Sequence, residues 1–285
     1  GVSRGTSSQQ SPVMRKLRSL TVRLAEERKL PDQFSGEFWS ESPMGRVMSV
    51  ANQKGGVGKT TTALNLAVGL ALAGSRTLLV DLDPQCNATT GLNQTPTDRH
   101  GLLLDIPLRQ SVVATDIPEM ELLPGSRNFE DVALLAGGRE GRRVEDHLAD
   151  GLLSFDFVIV DCPPSVGKLT QVALSTSNEV LMPIQCEYFA MEGLTRMIEV
   201  IRDIMVGGKG KLEFGGIVLT MYDHQLELTQ EVENEVREFF GEIVFDTVIP
   251  RDVAVSESPS HGKSVIDYAP DSRGARAYIE LCMEV

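Results

Sequence analysis

No uninterrupted apolar stretch in the 285-residue sequence approaches the ~20 residues needed to cross a membrane. The longest apolar helical pattern, around Leu64 to Ala73, carries the small residues of a packed helix, so a soluble, cytoplasmic protein is expected. Cysteine is scarce. Cys86, Cys162, Cys186 and Cys282 are far apart, with no C-x-x-C pair and no metal-ligand spacing, which fits buried or incidental thiols in a reducing compartment. His100, His147, His224 and His261 form no cluster and read as surface or packing residues. Internal repeats and low-complexity tracts are also missing. Positive charge is in deficit, with a net of −13, and what there is lies unevenly. Residues 1–31 carry seven basic groups against Glu26 and Glu27, a net of +5 that leaves −18 on the remainder. An acidic body is a poor general polyanion binder, whereas the basic arm suits DNA, an anionic membrane or a neighbouring subunit.

What is present suits one large α/β domain: 41% hydrophobic and 24% charged residues over this length bury a substantial sheet. Residues 1–45 read as a basic N-terminal arm and linker. Within it Val13, Leu17, Leu20 and Leu24 fall on one helical face before Pro31, and Phe34, Phe38 and Trp39 follow. From residue 46 to 285 strand and helix patterns alternate. Apolar runs are expected as strands at Val47–Ala51, Thr77–Asp81, Met120–Leu123, Phe157–Asp161, Val180–Pro183, Gly216–Met221 and Val244–Ile249. Helical patterns cover Thr60–Ala73, Phe189–Met205 and Leu226–Phe240. Continuous rather than alternating hydrophobicity marks strands buried on both faces. The expected fold is α/β, doubly wound, with a mostly parallel sheet, helices on both faces and ligands at the carboxyl ends of the strands. Residues 92–118 have weak periodicity and carry no assignment.

The chemistry centres on Asn52-Gln-Lys-Gly-Gly-Val-Gly-Lys-Thr-Thr-Thr62, a glycine-rich loop between the first strand and first helix. Gly55, Gly56 and Gly58 allow consecutive backbone N–H groups to face one centre. Lys59 reaches β- and γ-phosphates, and Thr60 offers a hydroxyl to Mg²⁺. The strict pattern G-x-x-x-x-G-K-[ST] fails, because Gln53 stands at its first glycine and an extra lysine, Lys54, precedes the glycine pair. The loop instead resembles the K-G-G-x-G-K-T deviant Walker A motif of the ParA/MinD class of P-loop ATPases.

Further segments carry the same resemblance. Asp81-Leu-Asp83-Pro-Gln-Cys86-Asn-Ala-Thr89 resembles the switch I of that class, with Cys86 where glycine is usual. Asp161-Cys-Pro-Pro164, after an apolar strand, resembles its Walker B acid and switch II. Pro183 to Leu194, and Val248 to Asp252 with Glu257 to Lys263, resemble segments of the chromosomal ParA/Soj branch. The resemblance runs from about Arg46 to the C-terminus.

It implies ATP or ADP with Mg²⁺ as ligands, held by Gly55, Gly56, Val57, Gly58, Lys59, Thr60 and Thr61, with Pro250 and Asp252 at the adenine. It places Thr60, Asp81 and Asp161 toward Mg²⁺, and makes Lys54, Lys59 and Asp83 the catalytic set. Asp83 then positions the hydrolytic water, and Lys54 crosses to the partner's nucleotide in an ATP-dependent homodimer. A ParB-like activator and nonspecific duplex DNA are the implied partners, with Arg202 a DNA contact and a nucleoid-associated location. Gln225 stands where the branch carries an arginine for DNA, which weakens phosphate attraction there. The alternative is a MinD-like membrane-surface positioning ATPase, supported by the arm alone. The sequence stops at Glu284-Val285 without a basic amphipathic tail, so a membrane partner is not expected. An iron–sulfur ATPase would need a cluster partner for Cys162, and none is apparent.

Overall fold

The computed structural model describes residues 45–104, 106–129, 154–187, 190–206 and 212–285. The arm up to residue 44, with its basic helical face and Phe34, Phe38 and Trp39, lies outside the described residues, as do His147, Tyr188 and Phe189. The chain enters at β1 (Arg46–Val50) and passes through the glycine-rich loop into α1 (Lys59–Leu72), then β2 (Thr77–Asp81) and the single turn α2 (Asn87–Thr90). Strands β3 (Val113–Ala114), β4 (Met120–Leu123) and β5 (Phe157–Asp161) follow, then α3 (Lys168–Thr176), β6 (Glu179–Gln185) and α4 (Ala190–Val206). Next come β7 (Glu213–Tyr222), α5 (Glu227–Phe240) and β8 (Val244–Pro250). The short helices α6 (Val253–Glu257) and α7 (Val265–Tyr268) lead to α8 (Arg273–Glu284).

The strands form one sheet in the order β3-β4-β2-β5-β1-β6-β7-β8. Every pairing is parallel except the short β3–β4 edge. All residues of β2 and β5 are buried, as their unbroken apolar runs predict for strands covered on both faces. Val158 and Val160 join Ala173, Leu194, Ile201 and Val232 in the core beneath α3, α4 and α5, while α1 packs on β2 and β5 from the opposite face. The doubly wound, mostly parallel architecture follows. Because β1 lies between β5 and β6, chain crossovers depart to both sides of it, and the crevice this opens at the strand carboxyl ends holds the loop after β1.

Element positions agree with the sequence patterns to within a few residues at the ends, and three differences are informative. Helix α1 begins at Lys59, because Gly58 supplies a left-handed cap (φ 89°) that turns the chain into the helix one residue early. Helix α3 has no counterpart among the sequence assignments. Residues 92–118 hold two 3₁₀ turns, Gly101–Leu103 and Leu108–Gln110, and the antiparallel β3, elements too short to carry a periodic signal.

The closest helix–helix approach around α1 is set by Gly69. A Cβ placed there would sit 2.4 Å from Cys282 Sγ on α8 and 3.5 Å from Ile266 Cδ1 on α7. Gly69→Ala is therefore expected to destabilise the domain by about 1–3 kcal/mol through overpacking, despite the better helix propensity of alanine. In a Cys282→Ala background the same change should become neutral or stabilising. Denaturant unfolding of the double-mutant cycle measures this, and additive effects would contradict it.

Candidate functional site

The loop after β1 is a cradle braced from three sides. Gly56 and Gly58 have φ of 75° and 89°, and a Cβ on Gly56 would meet nothing within 4 Å, so the loop's inner surface is backbone. Asn52 bridges outward: its Nδ2 donates to Pro183 O on β6 (2.8 Å) and its Oδ1 accepts from Lys54 N (3.0 Å). Thr220 Oγ1, near the end of β7, donates to Val57 O (2.8 Å). Pro164 of the D-x-P-P segment lies 3.9 Å from where a Cβ on Gly55 would fall, so that segment abuts the cradle. Thr60 and Thr61 open α1, partly exposed beside it.

Lys59 is buried, and its ammonium donates to Lys54 O (2.8 Å), folding the side chain back over the loop. Burial lowers its pKa, and the nearby Asp161 and Asp83 carboxylates oppose that shift. Lys54 instead reaches outward, half-exposed, to an ion pair with Glu187 Oε2 at 2.8 Å. The two lysines of one loop thus have separate environments, one facing buried acids and the other facing the surface.

Asp81 and Asp161 end β2 and β5 and are register partners on adjacent parallel strands. Asp161 is fully buried and neither carboxylate oxygen has a well-formed hydrogen bond. Burial, then the Asp81 charge, raises its pKa well above the ordinary carboxylate value, only partly offset by the Thr60 hydroxyl and Lys59. Asp81 is pushed up to about 6, chiefly by burial. Its Oδ2 accepts from Thr89 N (2.8 Å) and Thr89 Oγ1 (2.6 Å), and its Oδ1 from Asp83 N (3.2 Å). Asp83, also buried, accepts from Gln85 N through Oδ1 (2.9 Å).

An orphaned buried carboxylate beside the Thr60 hydroxyl is a fit for a hard divalent cation. Among the described residues no three His, Cys, Asp or Glu side chains converge as an all-protein cage, the situation in which Mg²⁺ keeps water and phosphate oxygens as its other ligands. Bound there, Mg²⁺ neutralises phosphate charge. Asp161 and Thr60 face that position, while Asp81 has much of its capacity committed to Thr89 and Asp83.

On the base side, Pro250 lines a cavity of about 230 Å³ with His224, Val248, Arg273, Arg276, Ala277 and Glu280. Asp252 has a structural task as well: Oδ1 caps α6 through Ala254 N and Oδ2 accepts from Gly274 N on α8, each at 2.9 Å. Arg202 is exposed on α4. Gln225 is exposed too, and its backbone N–H is held by Asp223 Oδ1 at 3.0 Å.

Sequence reasoning missed Thr220, Asn52 and Thr89 as braces of the site, since single polar residues at strand and turn ends have no motif of their own. It also read His100 as an ordinary residue, whereas His100 is fully buried against the Asp81 backbone. Because the buried acids favour their protonated forms without a cation, loading Mg²⁺ and nucleotide between pH 6 and 7 should release roughly one proton. Titration calorimetry in buffers of different ionisation enthalpy reads this directly. Asp161→Asn should diminish the release, and heats independent of buffer would contradict the arrangement.

The comparisons with known proteins agree with this geometry. Residues 45–214 match a family model described as an AAA domain. The chain is 42% identical over 257 residues to the chromosome partitioning protein ParA of Caulobacter vibrioides, covering 86% of this chain and 95% of that one. It is 41% identical over 249 residues to the sporulation initiation inhibitor protein Soj of Bacillus subtilis, covering 85% and 98%. Cobyrinic acid a,c-diamide synthase from Mycobacterium smegmatis, solved with an ATP analogue and magnesium, superposes with a TM-score of 0.71 at 33% identity over 84% and 93% of the two chains. With the cradle, the two lysines and the strand-end acids in place, this chain belongs to the ParA/Soj family of chromosome-partitioning ATPases, ATP hydrolases that bind nucleotide with Mg²⁺.

Proposed function

We propose that this chain is an ATP-switched partitioning ATPase whose sandwich homodimer encloses two nucleotides, with Lys54 reaching the partner's phosphates. The observation that carries this reading is the split between the loop's lysines. Lys59 is buried toward Asp161 and Asp83, whereas Lys54 is tethered only by a half-exposed ion pair to Glu187. Such pairs contribute at most about 1 kcal/mol, so Lys54 leaves its tether at small cost when a phosphate is offered. Asp83 positions the hydrolytic water, and phosphoryl transfer is then chiefly a matter of orientation and charge neutralisation. A ParB-like activator resets the dimer, and the ATP state binds duplex DNA over the nucleoid, segregating a chromosome or plasmid or positioning another cargo. The domain boundary near residue 45, with a basic arm before it, belongs to the same proposal.

The MinD-like alternative rests on the basic arm. Among the described residues no helix is long and apolar enough to cross a membrane. Removing residues 1–31 decides between the two: loss of binding to anionic vesicles favours the membrane surface, and loss of salt-sensitive duplex binding favours segregation.

Lys54→Ala is expected to keep nucleotide affinity while losing the ATP-dependent dimer in sedimentation. Asp83→Ala should bind ATP, fail to turn it over and accumulate that dimer. A full dimer from the Lys54 variant, or an Asp83 variant that loses affinity and dimer together, would contradict these roles. Gln225 lies between Asp223 and Glu227 in sequence, so DNA affinity should be modest and carried partly by Arg202. Gln225→Arg adds one phosphate contact and should steepen the slope of log K against log salt by about 0.9. An unchanged slope would place the DNA surface elsewhere.

A further inference from the structure

Segment 92–118 returns one side chain to the site. His100 precedes the 3₁₀ turn Gly101–Leu103 and is wholly buried, with the Phe129 ring 5.2 Å from it, centroid to centroid. Its Nδ1 accepts from Leu102 N at 3.2 Å, which fixes the tautomer bearing hydrogen on Nε2, and Nε2–H donates to Asp81 O at 3.0 Å. That carbonyl needs a side-chain donor for a reason visible in the register. The last paired residues of β2 and β4 are Val80 and Leu123, so β4 ends before Asp81 and supplies no amide opposite it. His100 completes the ladder where the strand runs out.

What Asp81 does with its own carboxylate gives this contact its reach. Asp81 accepts from Asp83 N and from both the backbone and hydroxyl of Thr89, and the Thr89 oxygen in turn accepts from Gly125 N at 2.8 Å. The segment from Asp81 to Thr89 is thus anchored at its first residue by His100, at its middle by Asp81, and at its end by Asp81 and the β4 exit. We infer that His100 is a positioning residue for ATP hydrolysis: through the Asp81 carbonyl it fixes the start of the 81–89 segment and with it the placement of Asp83. This rests on the proposed role of Asp83 in orienting water. Since misplacing a reacting group by about 1 Å costs up to about a hundredfold in rate, loss of the contact should appear in kcat rather than in affinity.

Two variants separate this role from packing. His100→Asn retains an acceptor for Leu102 N and so keeps the turn, but is too short to reach Asp81 O. His100→Gln places an amide N–H near the position of Nε2. In single-turnover assays on the full chain, with nucleotide affinity measured in parallel, His100→Asn is expected to bind ATP within about twofold of wild type and hydrolyse it about 10–100-fold more slowly. His100→Gln should restore most of the rate whatever its melting temperature. A folded His100→Asn variant at the wild-type rate would overturn the inference. So would a His100→Gln variant as slow as, or slower than, His100→Asn, which would make the ring only a packing element. Asp83→Ala runs alongside: if it hydrolyses normally, the reading of Asp83 falls and this inference with it, whereas an inactive Asp83→Ala with a normal His100→Asn removes the inference alone.

Discussion

The site depends on two carboxylates held side by side where they are least comfortable. Asp81 and Asp161 are register partners at the carboxyl ends of neighbouring parallel strands, both fully buried. Charged together in a low-dielectric crevice they repel, and neither gains the hydration that would compensate. The strands cannot relax this arrangement, because residues before the acids are committed to a core covered on both faces. Compensation has to come from a positive partner at the end of the sheet. Lys59 supplies part of it, at the cost of its own burial, and a cation with a polyphosphate supplies the rest. Nucleotide binding is therefore built into the fold as relief of a local electrostatic cost.

The cradle serves that cluster by keeping backbone N–H groups aimed inward while its supports come from distant strands. Thr220 on β7 and the Pro183 carbonyl on β6 hold the loop from one side, and Pro164, three residues after Asp161, lies against it from the other. A displacement of the segment after β5 consequently moves a wall of the cradle, so a change at the phosphate end is felt by the D-x-P-P segment through direct contact. Lys54 is excluded from this inner packing. Its surface tether to Glu187 leaves it the one loop side chain that can change partner without disturbing the core.

Most of the architecture was legible in the sequence because the strands are buried on both faces and therefore read as unbroken apolar runs. Phe157–Asp161 and Thr77–Asp81 have the bounds their patterns predict. The glycine-rich loop was legible because its chemistry demands residues that nothing else demands at that spacing. What escaped were contacts between segments remote in sequence. Helix α3 is short and only partly apolar, and the 3₁₀ turns of residues 92–118 have no period at all. Asp252 read as an adenine residue, yet its carboxylate also ties α6 to α8, a double role visible only once Gly274 is brought beside it. His100 was unreadable for the same reason: its partner is a backbone carbonyl, which no pattern of side chains announces.

Cys86 shows how far the 81–89 segment is built to hold one shape. It takes a left-handed conformation (φ 57°) at the position where glycine is usual, a strain on the order of 1 kcal/mol for a residue with a Cβ. The thiol is fully buried, pushed up to about 11 by burial, and so stays a neutral packing group. It donates weakly to Pro84 O and lies 3.1 Å from where a Cβ on Gly125 would fall, filling the space between the turn and the β4 exit. A glycine would remove the strain and leave that space empty. The segment thus exchanges backbone ease for side-chain packing, at the same place where Thr89 meets Gly125 and close to where His100 meets Asp81. For a reaction in which the protein chiefly orients water and phosphate, a segment immobilised before substrate arrives needs little reorganisation when it does.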